Sequence, residues 1–453
     1  MVKNAFGFLS LMRTSALVLS LTLGVWQSAL ATGFFINQQT VKGLGRVGAG
    51  DAAAADGLGT IFANPAGLTE IWGNSEGRTQ TSIGGHLIIP RAKLRNTGSS
   101  AASLGTGGVF LPYAGSDEAN PTNPSPIPNL YWAQSLVPGR AAIGVGVNFP
   151  FGLATKFHSD WYGRYDAIEA ALRTINLSAV GAYKFDSGLS IGGGLDLQYA
   201  NSHLVVAIPD PLTLGGPTVA TDGRAETNGQ NWKAGFNLGA LYPLSDQTRV
   251  GVHYRSGMNH SIDGSTTVTG LTGMLTAFNG KVGARADLNL PAIGSIGVRH
   301  KVSENLHLLG QVDWFDWSRF KEVRIRFANS SPDEVRLANY RDAYGVAVGA
   351  EYRLSGEVTM RSGVRFDQTP TVDGFRDTTV PDSDRLWLGI GATYQKSKTS
   401  SVDFAFNHVF FRPTKIAVTR PFFPGTPLAT VVNVNGRARS VVNTISINGN
   451  WAF

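Results

Sequence analysis

The chain has 453 residues and no cysteine, and its 39 Lys+Arg against 32 Asp+Glu give a formal charge of +7. Without cysteine, disulfide scaffolds, cysteine-based zinc sites and thiol nucleophiles are excluded. Charged residues reach only 16% where a soluble domain averages about 25%, and 55 glycines, 10% aromatic and 42% apolar residues exclude both a typical cytosolic enzyme and a disordered chain.

At the N-terminus, Lys3 and Arg13 precede an apolar stretch from Ala16 to Trp26, and Ala29-Leu30-Ala31 follows as a small-x-small cleavage site. That run is shorter than the ~20 residues of a spanning helix, so residues 1–31 are expected to be a signal peptide and not an anchor. An exported, cysteine-free, glycine- and aromatic-rich chain points to the bacterial envelope. Its mild, scattered basicity does not argue for nucleic acid.

The next segment, 32–73, is made of small residues. Its glycines Gly43, Gly45 and Gly48 match G-x-G-x-x-G in form, but no strand precedes them and no βαβ unit follows, so nucleotide binding is not supported. Small residues let short helical pieces pack closely in a confined space, and Asn64-Pro65-Ala66 opens on a stop and turn signal. A compact plug inside a barrel is expected here, with residues 74–453 forming the wall.

From Arg78 onward, period-two alternation dominates. Trp232, Ala234, Phe236, Leu238, Ala240 and Tyr242 alternate with Lys233, Gly235, Asn237 and Gly239, and Met360, Val364 and Phe366 stand opposite Arg361, Arg365 and Asp367. Strands of about ten residues with aromatics at their ends suit a membrane barrel, apolar outside and polar or small inside. Short connections such as Pro138-Gly139-Arg140 and Asp186-Ser187-Gly188 alternate strictly with long polar ones such as 90–128, 207–231 and 419–439. Seven long and six short connections imply fourteen strands, with a terminal aromatic, Phe453, on the last. The predicted fold is therefore an all-β membrane protein, a 14-stranded antiparallel outer-membrane β-barrel with an N-terminal hatch in its lumen. A soluble sandwich would have to hide fourteen aromatic-edged apolar faces from water.

Within the strand beginning at Ala141, the outward series Ile143, Val145, Val147, Phe149 runs into Pro150-Phe151-Gly152. Proline gives no N–H to a sheet ladder and a closed barrel has no edge to host it, so a kink is expected there.

The sequence resembles the FadL/TodX-type transporters of hydrophobic compounds in Gram-negative outer membranes. The resemblance is carried in order by Gly43-Leu44-Gly45-Arg46, Asn64-Pro65-Ala66, Phe151-Gly152-Leu153-Ala154-Thr155, Leu288-Asn289-Leu290-Pro291, Arg341-Asp342-Ala343-Tyr344, Pro381-Asp382-Ser383-Asp384-Arg385-Leu386-Trp387-Leu388 and Trp451-Ala452-Phe453. It implies a plugged 14-stranded barrel, a kinked third strand that opens the wall sideways, and passive uptake of long-chain fatty acids or aromatic hydrocarbons.

No catalytic constellation is found. None of the eight histidines sits in H-E-x-x-H or another compact ligand spacing, and no G-x-S-x-G turn supports a hydrolase, so neither an enzyme, a cofactor nor a metal is expected. For a fatty acid, Lys321, Arg324 and Arg326 are candidate partners of the carboxylate; the apolar Val205 and Val206 leave a neutral aromatic ligand open. Apolar groups in the loops, Phe110, Leu111 and Tyr113 together with Leu271, Met274, Leu275 and Phe278, are candidates for a surface groove that captures ligand. The expected surroundings are a hydrophobic small molecule, outer-membrane lipid and lipopolysaccharide around a monomer. A general diffusion porin for polar solutes is the alternative function; the small-residue segment ahead of the first strand speaks against it.

Overall fold

The computed structural model describes residues 33–72, 78–118, 120–329 and 331–453; the predicted signal peptide lies outside them. Fourteen antiparallel strands run in chain order around a closed wall: β1 Thr79–Asn96, β2 Ser125–Val137, β3 Ala141–Asn148 and Gly152–Lys156, β4 Glu169–Lys184, β5 Ser190–Ile208, β6 Gly223–Pro243 and β7 Thr248–Arg255 and Met258–Thr269. The second half comprises β8 Gly280–Leu290 and Ile293–Lys301, β9 Leu306–Phe315 and Glu322–Phe327, β10 Glu334–Leu337 and Ala343–Arg353, β11 Val358–Asp367, β12 Arg385–Ser397, β13 Ser400–Phe411 and Thr414–Phe422, and β14 Thr430–Ala452. Closure comes from β1 on β14, in register from Gln80↔Ala452 to Asn96↔Gly436.

Alternation sorts the two faces. Along β11, Met360, Val364 and Phe366 are exposed while Arg361, Arg365 and Asp367 are buried; along β6, Phe236 and Leu238 are exposed and Asn237 is buried. Outward apolar groups in a lipid-facing wall and inward polar groups in the lumen are what the bilayer requires of such a sheet.

Most strands exceed the expected ten residues, though β11 has ten. β14 begins at Thr430 and β6 at Gly223, inside stretches expected to be the loops 419–439 and 207–231. Beyond the hydrocarbon, both faces of a strand contact water, so polar residues such as Thr227 to Gln230 pair across the sheet without any apolar alternation to reveal them.

Residues 33–72 form three short helices, α1 Val41–Gly45, α2 Asp51–Ala54 and α3 Thr60–Ala63, and a 3₁₀ turn Pro65–Thr69. They reach inward-facing groups around the wall. Gln38 Nε2 donates to Thr444 Oγ1 of β14 at 3.3 Å, Ala52 N–H to Gln311 Oε1 of β9 at 2.9 Å, and Thr69 shares a 2.8 Å hydroxyl contact with Ser190 of β5.

Candidate functional site

The break in β3 sets up the site. Its ladder with β2 ends at Leu130↔Val147, and after Pro150 its ladder is with β4, from Gly152↔Arg173 to Lys156↔Glu169. The vacated side of the kink is taken by the N-terminal segment: Ile36 N–H donates to Pro150 O at 2.8 Å and Gly152 N–H to Phe34 O at 2.9 Å. Phe151 turns inward, packing edge-on to Phe34, Phe35 and Trp317 at 6.2, 5.5 and 6.1 Å between ring centres.

Beside this kink lies an apolar cavity of about 140 Å³, lined by Leu153 of β3, Leu172 of β4, Leu204 of β5, Ile262, Leu288, Phe320, Val323, Tyr340 and Val380, with Phe34 at its base. Phe34 is held by Trp317 at 4.6 Å and Phe320 at 5.4 Å, and Tyr340 stands 4.9 Å from Phe320. Below these rings the character changes. A second space of about 70 Å³ adjoins Phe35 and Phe315 but is lined by Asn37, His253, Arg255, Asp313 and Arg365.

The polar groups of the upper cavity are mostly committed. Arg336 donates from Nε to Glu334 at 2.7 Å and from a terminal nitrogen to Asp166 O at 2.7 Å. Asp166, wholly buried in the loop between β3 and β4, takes Arg420 Nε at 2.7 Å and Thr378 N–H at 2.7 Å. Burial pushes the Asp166 carboxyl up, but Arg420, Arg336 and the Thr378 donors outweigh it and hold the group below its ordinary value. Its neighbour Asp377, which lines the cavity, is raised by burial and by the Asp166 charge.

The proposed head-group cations stand apart from the lining. Arg324 pairs with Glu322 at 2.7 Å and Asp333 at 3.2 Å, and Arg326 with Asp287 at 2.7 Å. Lys321 donates at 3.5 Å to Tyr340 O, and among the described residues no carboxylate lies within 4 Å of it. The two apolar loop groups are each divided: Tyr113 is buried with Trp161 and Tyr165, Leu271 and Leu275 are buried beside Ile208, and Phe110, Leu111, Met274 and Phe278 remain exposed.

In the N-terminal segment, Arg46 is wholly buried and meets Asp56 at 2.7 Å, Glu351 of β10 at 2.8 Å and Asp51 at 2.9 Å. Gly43 and Gly45 leave room for this packing; a Cβ on Gly43 would stand 2.4 Å from Asp51 Oδ2 and from Thr40 Oγ1. Asn64 Nδ2 donates to Ala52 O at 2.7 Å, Ala240 O of β6 at 3.0 Å and Val252 O of β7 at 3.3 Å, while its Oδ1 accepts Ala66 N–H at 3.1 Å. This close approach uses wall glycines, since a Cβ on Gly239 would fall 1.9 Å from Asn64 Oδ1. Sequence reasoning missed Phe34, Leu172, Phe320, Tyr340 and Arg336. Only the aromatic cluster Trp314, Trp317, Phe320 at one strand end carried a visible signal.

Among proteins of known identity, the "Long-chain fatty acid transport protein" of Salmonella typhi is 27% identical over 427 residues, covering 90% of this chain and 94% of that protein. Among solved structures, a FadL homologue of Pseudomonas aeruginosa superposes with a TM-score of 0.79 at 22% identity, over 93% of this chain and all of that one. The Pseudomonas putida toluene transporter TodX superposes with a TM-score of 0.66 at 15% identity, over 93% of this chain and all of that one. The sequence model of the family described as "Outer membrane protein transport protein (OMPP1/FadL/TodX)" matches residues 22–453. A closed fourteen-strand wall, a polar lumen and this match together place the chain in the OMPP1/FadL/TodX family of outer-membrane transport proteins.

Proposed function

We propose that the protein takes up hydrophobic molecules passively across the outer membrane, that residues 33–72 are the hatch closing its lumen, and that ligand leaves sideways at the β3 kink. The observation carrying this reading is the position of the apolar cavity, walled by Leu153 and Leu172 beside the ladder break and floored by Phe34, which also pairs with that break. Apolar ligand gains by entering such a space. The more polar space beside Phe35 offers it less apolar lining, whereas an opening at the break would lead to hydrocarbon. A diffusion porin has no use for a segment filling its lumen.

The relatives' names bring long-chain fatty acid forward as the first ligand, with Lys321 best placed of the three proposed cations to meet a carboxylate, because Arg324 and Arg326 are already paired. The loop residues Phe110, Leu111, Met274 and Phe278 would collect ligand outside. A second reading rests on size: an apolar cavity of about 150 Å³ holds one benzene ring, and the 140 Å³ found here fits a single-ring aromatic without further opening. Equilibrium binding of oleate and toluene to the purified protein, with growth of a producing strain on each, tests both. Binding and uptake of neither would overturn the transport reading. Oleate alone would select the fatty acid, and toluene alone the aromatic.

A further inference from the structure

The outer wall carries an unpaired basic patch where β13, β14 and β1 lie side by side. On β1 the outward series Ile83, Leu87, Ile89 gives way to Arg91, Lys93 and Arg95; on β14 the outward Trp451, Ile447, Ile445 and Val441 give way to Arg439 and Arg437; on β13 Lys415 faces outward beside them. All six cations are exposed. The register sets Lys93 opposite Arg439, Arg95 opposite Arg437, and Lys415 opposite Arg437.

Like charges directly opposite each other destabilise a sheet, and here three such pairs share one face. Among the described residues none of the six has a carboxylate within 4 Å. Neither Asp117, which accepts Asn96 N–H at 2.7 Å, nor Asp384, which lies 3.6 Å from Arg412, forms an ion pair with any of them. The wall therefore presents concentrated positive charge whose compensation must come from outside the chain.

Height identifies the source. Arg91 lies opposite Val441 and Thr81 opposite Trp451. Ten residues at ~3.3 Å each, tilted by ~40°, raise Arg91 ~25 Å above Trp451, the height of the apolar band of such barrels. Each further pair stands ~5 Å higher. The cations thus begin where hydrocarbon ends, on the long-loop side that faces the exterior. Neighbouring cations are ~5 Å apart across strands and ~7 Å apart along one, so a single phosphate can bridge two of them, and guanidinium groups bind phosphate bidentately.

We propose that this patch binds the phosphate groups of lipopolysaccharide, the phosphorylated glycolipid of the outer leaflet. Its acyl chains would lie along the apolar ladder directly below, formed by Ile83, Leu87, Ile445, Ile447, Phe404 and Phe406. A soluble anion explains the charge but not its placement at the upper edge of that ladder.

The test uses the purified full-length mature barrel, stripped of lipid and titrated in mixed micelles with bisphosphorylated lipid A, dephosphorylated lipid A, inorganic phosphate and heparin. Thermal shift and co-purified lipopolysaccharide are the readouts. Bisphosphorylated lipid A should bind and raise the melting temperature, and the other three should not. The variant Lys93→Gln/Arg437→Gln/Arg439→Gln should bind at least tenfold more weakly and co-purify with less glycolipid, whereas Lys281→Gln/Arg285→Gln, which removes exposed cations on β8, should bind as the parent does. Unchanged affinity in the triple variant overturns the proposal. So does equal binding of dephosphorylated lipid A, which would assign the contact to acyl chains. Equal binding of phosphate or heparin overturns it too, by making the patch a general anion or polyanion site. If the triple variant does not fold, Lys93→Gln alone should still weaken lipid A binding about threefold, and no weakening counts against the site.

Discussion

Asp166 is the residue whose loss should be felt farthest from its own position. It ties the loop between β3 and β4 to β10 through Arg336, to β13 through Arg420 and to the loop after β11 through Thr378. Removing one partner of a buried ion pair leaves an uncompensated charge and costs about 3–5 kcal/mol, so Asp166→Asn should loosen these outer loops over the cavity. The expected result is faster proteolysis of the loops with the barrel intact in heat-modifiability gels. The pH dependence follows from the same contacts. The folded carboxyl titrates below its ordinary 3.8, so its stabilisation is fully present above about pH 4 and is lost as pH falls below that. Loop proteolysis in the parent protein should therefore stay flat from neutral pH down to about 5 and rise below 4. Arg46 poses the matching test in the lumen: Arg46→Ala leaves Asp51, Asp56 and Glu351 facing one another, and single-channel recordings should show a less stable closed state with frequent openings. Arg46 could be singled out in the sequence because it stands in a run of small residues. Asp166 could not, since its partners are far away in the chain, on β10, on β13 and on the loop after β11.

At the scale of elements, β3 is where local chemistry overrides the regular sheet. Replacing Pro150-Phe151-Gly152 by Thr-Val-Thr supplies the missing N–H and removes the inward phenylalanine. The variant should fold and reach the surface at normal levels yet lose uptake of hydrophobic substrate, and normal uptake by a structurally verified straight strand would refute the lateral exit. The proline was legible in the sequence because its effect is local. The partner that occupies the vacated ladder, Phe34 to Ile36, was not, because an extended tripeptide carries no period by which to recognise it. Strand ends were hidden for a related reason: above the hydrocarbon, β6 continues with polar residues on both faces, β5 ends in the largely buried apolar run Leu204 to Ile208, and β14 turns Val432 and Val434 inward, so the apolar-out alternation that marks a barrel strand is lost there.

For the whole molecule, the count of fourteen strands could be read from the strict alternation of short turns and long connections, since that alternation is set by the two sides of a membrane and not by any one residue. How residues 33–72 fit the wall could not be read. Their seat depends on glycines such as Gly239 and on backbone carbonyls of β6 and β7, which meet Asn64 only in three dimensions. Deleting 33–72 should leave a folded barrel with raised ion conductance in planar bilayers; conductance equal to that of the intact protein would refute the hatch. The aromatic floor made by Phe34, Trp317 and Phe320 has a consequence for the cell that bears this protein. A mainly apolar space and a mixed polar one lie inside one wall, so a molecule would be sorted by its solubility before it is sorted by its shape. With residues 33–72 closing the lumen as proposed, a bacterium would take up hydrophobic compounds while its envelope stayed tight against the water-borne toxins that an open pore would admit.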